Sequence, residues 1–93
     1  MLWAGTRQGL ARYDESQEKW IPVGFNSQLP CPNITALAFQ NGTLWVGTPH
    51  GMGRYVIAEE SWSSIPNISY NIRDIFFDTT GKLWLATLVQ HPC

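Results

Sequence analysis

The chain has 93 residues, of which 44% are hydrophobic and 13% aromatic, and its formal net charge is −1. This composition is typical of a globular domain and excludes a disordered chain. The few lysines and arginines are scattered without a basic stripe, so nucleic acid is not an expected partner. No apolar run approaches the roughly 20 residues that cross a bilayer, so no membrane segment is expected in this chain.

One tryptophan phrase occurs three times along the chain. Its copies read LWAGT, LWVGT and LWLAT, and they contain Trp3, Trp45 and Trp84. The first two tryptophans are 42 positions apart and the last two are 39 positions apart. A period near forty predicts a repeat architecture, in which one supersecondary unit recurs. Packing needs the same residue in every unit, whereas a ligand site needs it once, so we predict that these tryptophans fill the gaps between stacked sheets.

The first predicted unit covers residues 1–24. It contains three runs of strand-forming residues bounded by turn formers, at 2–6, 9–13 and 20–23. By register these are the second, third and fourth strands of a unit whose first strand is absent. Glycine follows the tryptophan phrase here and in the next unit. We expect Gly5 and Gly47 to serve close backbone turns, because glycine tolerates unusual φ and ψ angles.

The second predicted unit, residues 33–66, is complete. Its four strands are expected at 34–39, 43–48, 53–57 and 62–65. Asn41-Gly42 is a tight hairpin signal between the first two, and the residues around His50 turn the chain between the next two. Short loops between successive strands predict an antiparallel meander.

The third predicted unit, residues 72–87, supplies only two strands, at 72–78 and 82–87, and the tail 88–93 leaves the pattern. The chain is therefore predicted to be all-β, with nine strands and a little over two units. Nine strands in such units cannot close a ring. We therefore expect either a piece of a longer protein or a protomer of an oligomer, in which three two-unit copies would give six units.

Motifs for catalysis and for metal binding are absent from the sequence. It has no Gly-x-Ser-x-Gly nucleophile, no phosphate-binding glycine loop and no His-Glu-x-x-His motif, so no catalytic residue, metal or cofactor is predicted. Its two cysteines, Cys31 and Cys93, have neither a zinc spacing nor the number for a disulfide framework. We interpret them as two unrelated thiols.

The repeated residues resemble a known family. The run LWVGTPHGMGRY at 44–55, preceded by NITALAF at 33–39, is similar to the two-component regulator propeller repeat, as is LWAGTRQGLARYD at 2–14. The resemblance covers residues 1 to about 87 and implies β-propeller blades, each a four-stranded antiparallel meander, in an incomplete propeller. The chain departs from the family pattern at Ala86, which replaces a glycine, and at Met52-Gly53, which replaces Gly-Leu.

The resemblance also implies a function. Proteins with such blades are often bacterial hybrid sensor kinases whose propellers form an extracytoplasmic sensing region, commonly in carbohydrate-responsive systems. The expected function is thus a non-catalytic segment for ligand sensing or protein interaction, periplasmic or extracellular if the parent is such a sensor. Expected partners are neighbouring blades or other protomers, and a carbohydrate-like small ligand. The alternatives are a fragment of a propeller lyase or hydrolase, or a small lectin-like protomer of an oligomeric propeller.

Ligand sites on a propeller favour the face that carries the turn between the second and third strands and the connections between blades. Polar and aromatic residues at these places are the candidate ligand-binding residues. They are Arg7, Gln8, Asn33, His50, Tyr70 and Asn71.

Overall fold

The computed structural model describes residues 2–24 and 31–89 of the chain. All nine predicted strands occur in these ranges, and the residues described there form no helix. The strands form three antiparallel sheets of three, four and two strands, in chain order within each sheet. The prediction of an all-β fold made of partial and complete propeller blades is confirmed. Residues 25–30, between the first two predicted units, and residues 90–93 of the predicted tail lie outside the described residues.

The first sheet and the second sheet share one pattern. The first consists of β1 (Trp3–Thr6), β2 (Gly9–Asp14) and β3 (Lys19–Gly24). The second consists of β4 (Ala36–Gln40), β5 (Thr43–Thr48), β6 (Gly51–Val56) and β7 (Ser61–Ser64). The third strand of the second sheet begins two residues before the predicted residue 53, because Thr48 pairs directly with Gly51 and only two residues remain in the loop.

The third sheet consists of β8 (Asn71–Phe77) and β9 (Leu83–Leu88). Ile72 pairs with Thr87 and Asp74 pairs with Ala86, so Arg73 is an extra residue that forms a β-bulge. The bulge lets Ile72 and Ile75 both point into the core although they are three positions apart. β9 extends one residue beyond the predicted strand, because Leu88 pairs with Asn71.

The hydrophobic core lies between the sheets, in two clusters. Between the first and second sheets, Trp3 packs beside the buried Tyr55, with the two rings 6.0 Å apart. Between the second and third sheets, Trp45 packs beside Phe77, also at 6.0 Å. The prediction that repeated tryptophans fill the gaps between sheets is confirmed at these two positions. Trp84 is 49% exposed instead, since no described sheet covers it.

The two glycines of the repeat have a different role from the expected one. Neither Gly5 nor Gly47 has a positive φ. A Cβ on Gly47 would lie 2.5 Å from Cγ2 of Ile72, and one on Gly5 would press against Ile34 in the same way. The turn interpretation is therefore wrong. Glycine is needed there because the isoleucine that opens the next repeat packs directly against the backbone.

Cys31 also differs from the expectation. Its side chain is buried at 1% exposure and is disulfide-bonded, so the interpretation of two unrelated thiols is wrong at this residue. Cys93 lies outside the described residues. No helix among residues 2–24 and 31–89 is long and apolar enough to cross a membrane.

Candidate ligand site

One end of the sheets carries two hairpins of identical construction. The hydroxyl of Thr48 donates to the carbonyl of Gly51 at 2.8 Å and accepts the backbone N–H of His50 at 3.1 Å. Thr6 makes the same pair of bonds, with the carbonyl of Gly9 at 2.7 Å and the N–H of Gln8 at 3.1 Å. Each threonine therefore closes a loop of two residues, and the following strand begins at a glycine with positive φ.

The connections between sheets reach the same end. Strands alternate in direction within each meander, so the turns after β1 and β5 and the links that enter β4 and β8 lie together. The N–H of Ile34, just before β4, donates to the carbonyl of Thr6 at 2.8 Å. We call this end the connection end. All six candidate ligand-binding residues belong to it, since they lie in its turns or where its links end and enter β4 and β8.

A cleft of about 400 Å³ opens at the connection end between the second and third sheets. Its walls come from three elements: the link before β4, the turn after β5 and the first residues of β8. The lining residues are Asn33, Thr35, Pro49, Asn71 and Arg73. Two of the sequence candidates, Asn33 and Asn71, are thus brought into one cleft. They are equivalent positions of successive repeats, because each directly precedes the isoleucine that packs on the repeat glycine.

Asn71 is the most unusual residue of this cleft. It is only 7% exposed, and among the described residues it and Thr48 are the buried polar ones. The side chain lines the cleft, so a ligand group that enters there and offers both a donor and an acceptor can form hydrogen bonds with the amide.

The sequence analysis did not identify three of the residues that line the cleft. Arg73 is exposed and lies at the β-bulge, which sets its direction apart from the regular alternation of β8. The hydroxyl of Thr35 donates to the carbonyl of Ile72 at 2.6 Å and so ties the second sheet to the third. Pro49 is buried in the turn. Ile72 and Ile75 are three positions apart, whereas core residues on one face of a regular strand are two or four apart. This spacing was the signal in the sequence for the bulge, and hence for Arg73.

The other four candidates lie outside this cleft lining. Arg7 and Gln8 are exposed in the turn after β1, and Tyr70, next to Asn71 in the chain, is 56% exposed. His50 is half-buried beside Pro49 in the turn after β5. The structure therefore groups the candidates at one end without joining all of them in a single pocket.

The opposite end of the sheets carries acidic hairpins. The Asp14 carboxylate accepts hydrogen bonds from the hydroxyl and N–H of Ser16 at 2.7 and 2.9 Å, and these bonds lower its pKa. The Asp78 carboxylate accepts bonds from Thr80, from the Trp84 indole at 2.8 Å and from the Lys82 N–H, which lower its pKa. Within residues 2–24 and 31–89, no three acidic, histidine or cysteine side chains approach closely enough to hold a metal ion.

The sequence of the cleft region matches a known family. Residues 28–50 match the family model described as two component regulator propeller. The chain contains a two component regulator propeller repeat. No curated protein matches the chain. The matched repeat runs from the link before β4 through β5 to the Thr48 hairpin, and so it includes Asn33, Thr35 and Pro49 of the cleft. The chain is therefore a segment of a β-propeller that carries a repeat of the regulator type.

Proposed function

We propose that this chain is a non-catalytic propeller segment that senses a carbohydrate-like small ligand through the cleft at the connection end. In this proposal it belongs to the extracytoplasmic sensor region of a bacterial two-component signalling protein. Residues 1–24, 33–66 and 72–87 are its partial, complete and partial blades, and residues 88–93 are a tail. The match of residues 28–50 to the regulator propeller repeat supports the signalling context.

The single observation that carries the ligand proposal is that two side-chain amides of successive repeats, Asn33 and the 7% exposed Asn71, line one cleft. The two side chains together offer donors and acceptors of the kind that bind sugar hydroxyls. The Arg73 guanidinium adds five N–H donors and a positive charge at the same cleft. This combination favours a sugar that carries a carboxylate over a neutral one.

The test is a binding experiment with two defined probes, the neutral disaccharide cellobiose and the acidic disaccharide digalacturonate. We expect digalacturonate to shift the backbone amide NMR signals of Asn33, Asn71 and Arg73. Asn71→Ala should weaken its binding about tenfold, because one buried hydrogen-bonding group is worth about 1.4 kcal/mol in this range. Arg73→Gln should weaken digalacturonate more than cellobiose.

The matched control is Gln17→Ala, which makes a polar-to-alanine change in a hairpin at the opposite end. It should leave binding unchanged. Binding that is equal for Asn71→Ala and Gln17→Ala, or signal shifts confined to the acidic hairpins, would contradict the cleft as the ligand site. For the signalling context, the coding sequence around this segment should encode a transmembrane helix and a histidine kinase.

A further inference from the structure

A second cleft opens between the first and second sheets. Its volume is about 290 Å³, at the lower limit of the roughly 300–1,000 Å³ that small-molecule sites occupy. Pro22 and Val23 of β3 line it from the first sheet, and Tyr55 of β6 and Trp62 of β7 line it from the second. Glu60, in the turn between β6 and β7, completes the lining. Both walls belong to sheets that this chain supplies, and none of these five residues lines the cleft at the connection end.

Two aromatic rings form the wall on the second sheet. Tyr55 pairs with Trp62 across the two strands, and their ring centroids lie 4.7 Å apart with an angle of 48° between the planes. Tyr55 is 6% exposed and Trp62 is half-buried, so Trp62 offers the larger ring area to the cleft. The same pair of residues recurs as Tyr13 and Trp20, so packing explains why the rings are present. The cleft arises because this packing leaves part of the Trp62 ring uncovered on the side of β3.

A negative charge lies beside these rings. The Glu60 side chain is exposed and belongs to the lining of the cleft. Burial and the negative charge of Glu60 raise the pKa of the Tyr55 phenol, and the positive charge of Arg12 lowers it by a smaller amount. The negative charge thus outweighs the positive one at the phenol. The cleft therefore combines an aromatic surface with an electric field that attracts cations.

This combination selects one class of small ligand. A cation placed over the face of a tryptophan ring is attracted by the negative charge of that face, and recognition of quaternary ammonium groups is the best known use of this attraction. The methyl groups of such a cation are apolar and pack against Pro22 and Val23 without requiring hydrogen bonds. A primary ammonium group would need several acceptors to replace its hydration, and Glu60 is the one carboxylate in the lining of the cleft.

We propose that this cleft binds a small organic cation of the trimethylammonium class. The cationic group lies over the exposed part of the Trp62 ring and beside the Glu60 carboxylate, and its methyl groups contact Pro22 and Val23. The site is separate from the cleft at the connection end, and it rests on none of the residues that carry the proposed sensing function.

The test compares two probes of nearly equal shape, choline and its uncharged analogue 3,3-dimethylbutan-1-ol, at constant ionic strength. The readout is the indole N–H NMR signal of Trp62 in the 93-residue chain, assigned with Trp62→Phe. We expect choline to shift this signal with an affinity about fivefold or more above that of the alcohol, because the alcohol lacks the charge that Glu60 and the ring attract. Glu60→Gln should weaken choline about fivefold and leave the affinity for the alcohol unchanged.

Glu18→Gln is the matched control. Glu18 is the repeat equivalent of Glu60, is exposed in the corresponding turn and has nearly the same left-handed backbone, with φ of 53° against 51°. It does not line the cleft, so its substitution should leave the response of Trp62 to choline unchanged. Equal affinities for choline and the alcohol overturn the proposal. So does an equal loss of choline binding in the two glutamate variants, or a response to choline confined to tryptophans other than Trp62.

Discussion

The isoleucine that precedes the first strand of the next sheet packs directly against the repeat glycine. Because a Cβ at position 47 would lie 2.5 Å from Ile72 Cγ2 and 3.2 Å from Ala36 Cβ, Gly47→Ala cannot be accommodated without moving the third sheet. We expect a loss of about 1–3 kcal/mol in the free energy of unfolding, the usual cost of overpacking. Urea unfolding monitored by circular dichroism measures this change.

Ala86→Ser is the matched control for this substitution. It enlarges the residue at the same repeat position, but on the exposed face of the third sheet that carries Trp84. We expect it to change the free energy of unfolding by less than about 0.5 kcal/mol. An equal loss for the two variants would mean that the isoleucine contact is not what constrains the glycine.

The carboxyl group of Asp78 makes the stability of the fold depend on pH. Its hydrogen bonds to Thr80, Trp84 and Lys82 lower its pKa in the folded chain, whereas the unfolded chain keeps an ordinary value near 3.9. A carboxyl with a lowered folded pKa stabilises the fold above the unfolded pKa and loses this contribution as the pH falls through the folded pKa. Asp78→Ala should therefore lower the urea midpoint at pH 7, and the difference from the unmodified chain should shrink as the pH falls below about 4.

An NMR titration that follows the carboxyl carbon of Asp78 measures this pKa directly. It should give a pKa below that of an ordinary aspartate. Glu15→Ala, in the exposed turn after β2, is the control and should lower the urea midpoint little at any pH. A difference between Asp78→Ala and the unmodified chain that grows toward low pH would contradict this account.

At the level of elements, the two threonine hairpins form a natural comparison. Thr48 is fully buried, so Thr48→Val leaves the Gly51 carbonyl and the His50 N–H without the hydroxyl that paired them. We expect a loss of about 1–3 kcal/mol in the free energy of unfolding. Thr6 makes the same bonds but is exposed, so water can replace the hydroxyl and Thr6→Val should cost about 0.5 kcal/mol or less. Equal costs in thermal or urea unfolding would contradict the role of burial.

Most strands were predictable because short runs of strand formers alternate with strong turn signals. Asn41-Gly42 and the threonine turns fix hairpin registers locally, so neighbouring residues suffice to place β4, β5 and β9 to within about two residues. The bulge at Arg73 was not predicted, because it is required by packing: both Ile72 and Ile75 must face the second sheet. The role of Gly47 was missed for the same reason, since its partner belongs to another sheet.

At the level of the whole molecule, the position of the candidate site was predictable and its composition was not. An antiparallel meander places alternate turns at one end, which brings the links before Ile34 and Ile72 to the same end as the turns after β1 and β5. Which of these residues share a cleft depends on how one sheet lies on the next. That arrangement groups Asn33, Asn71 and Arg73 and leaves Arg7 and Gln8 outside.

In the hairpins closed by Thr6 and Thr48, the bonds that hold the loop are independent of the side chains that the loop exposes. All four hydroxyl bonds involve backbone atoms, so any residue except proline at the second loop position is compatible with them. One loop holds Arg7-Gln8 and the other Pro49-His50, which differ in charge and in shape on the same frame. Substitutions at the two loop residues can therefore change the charge and shape of the connection end without changing the hairpins that support it.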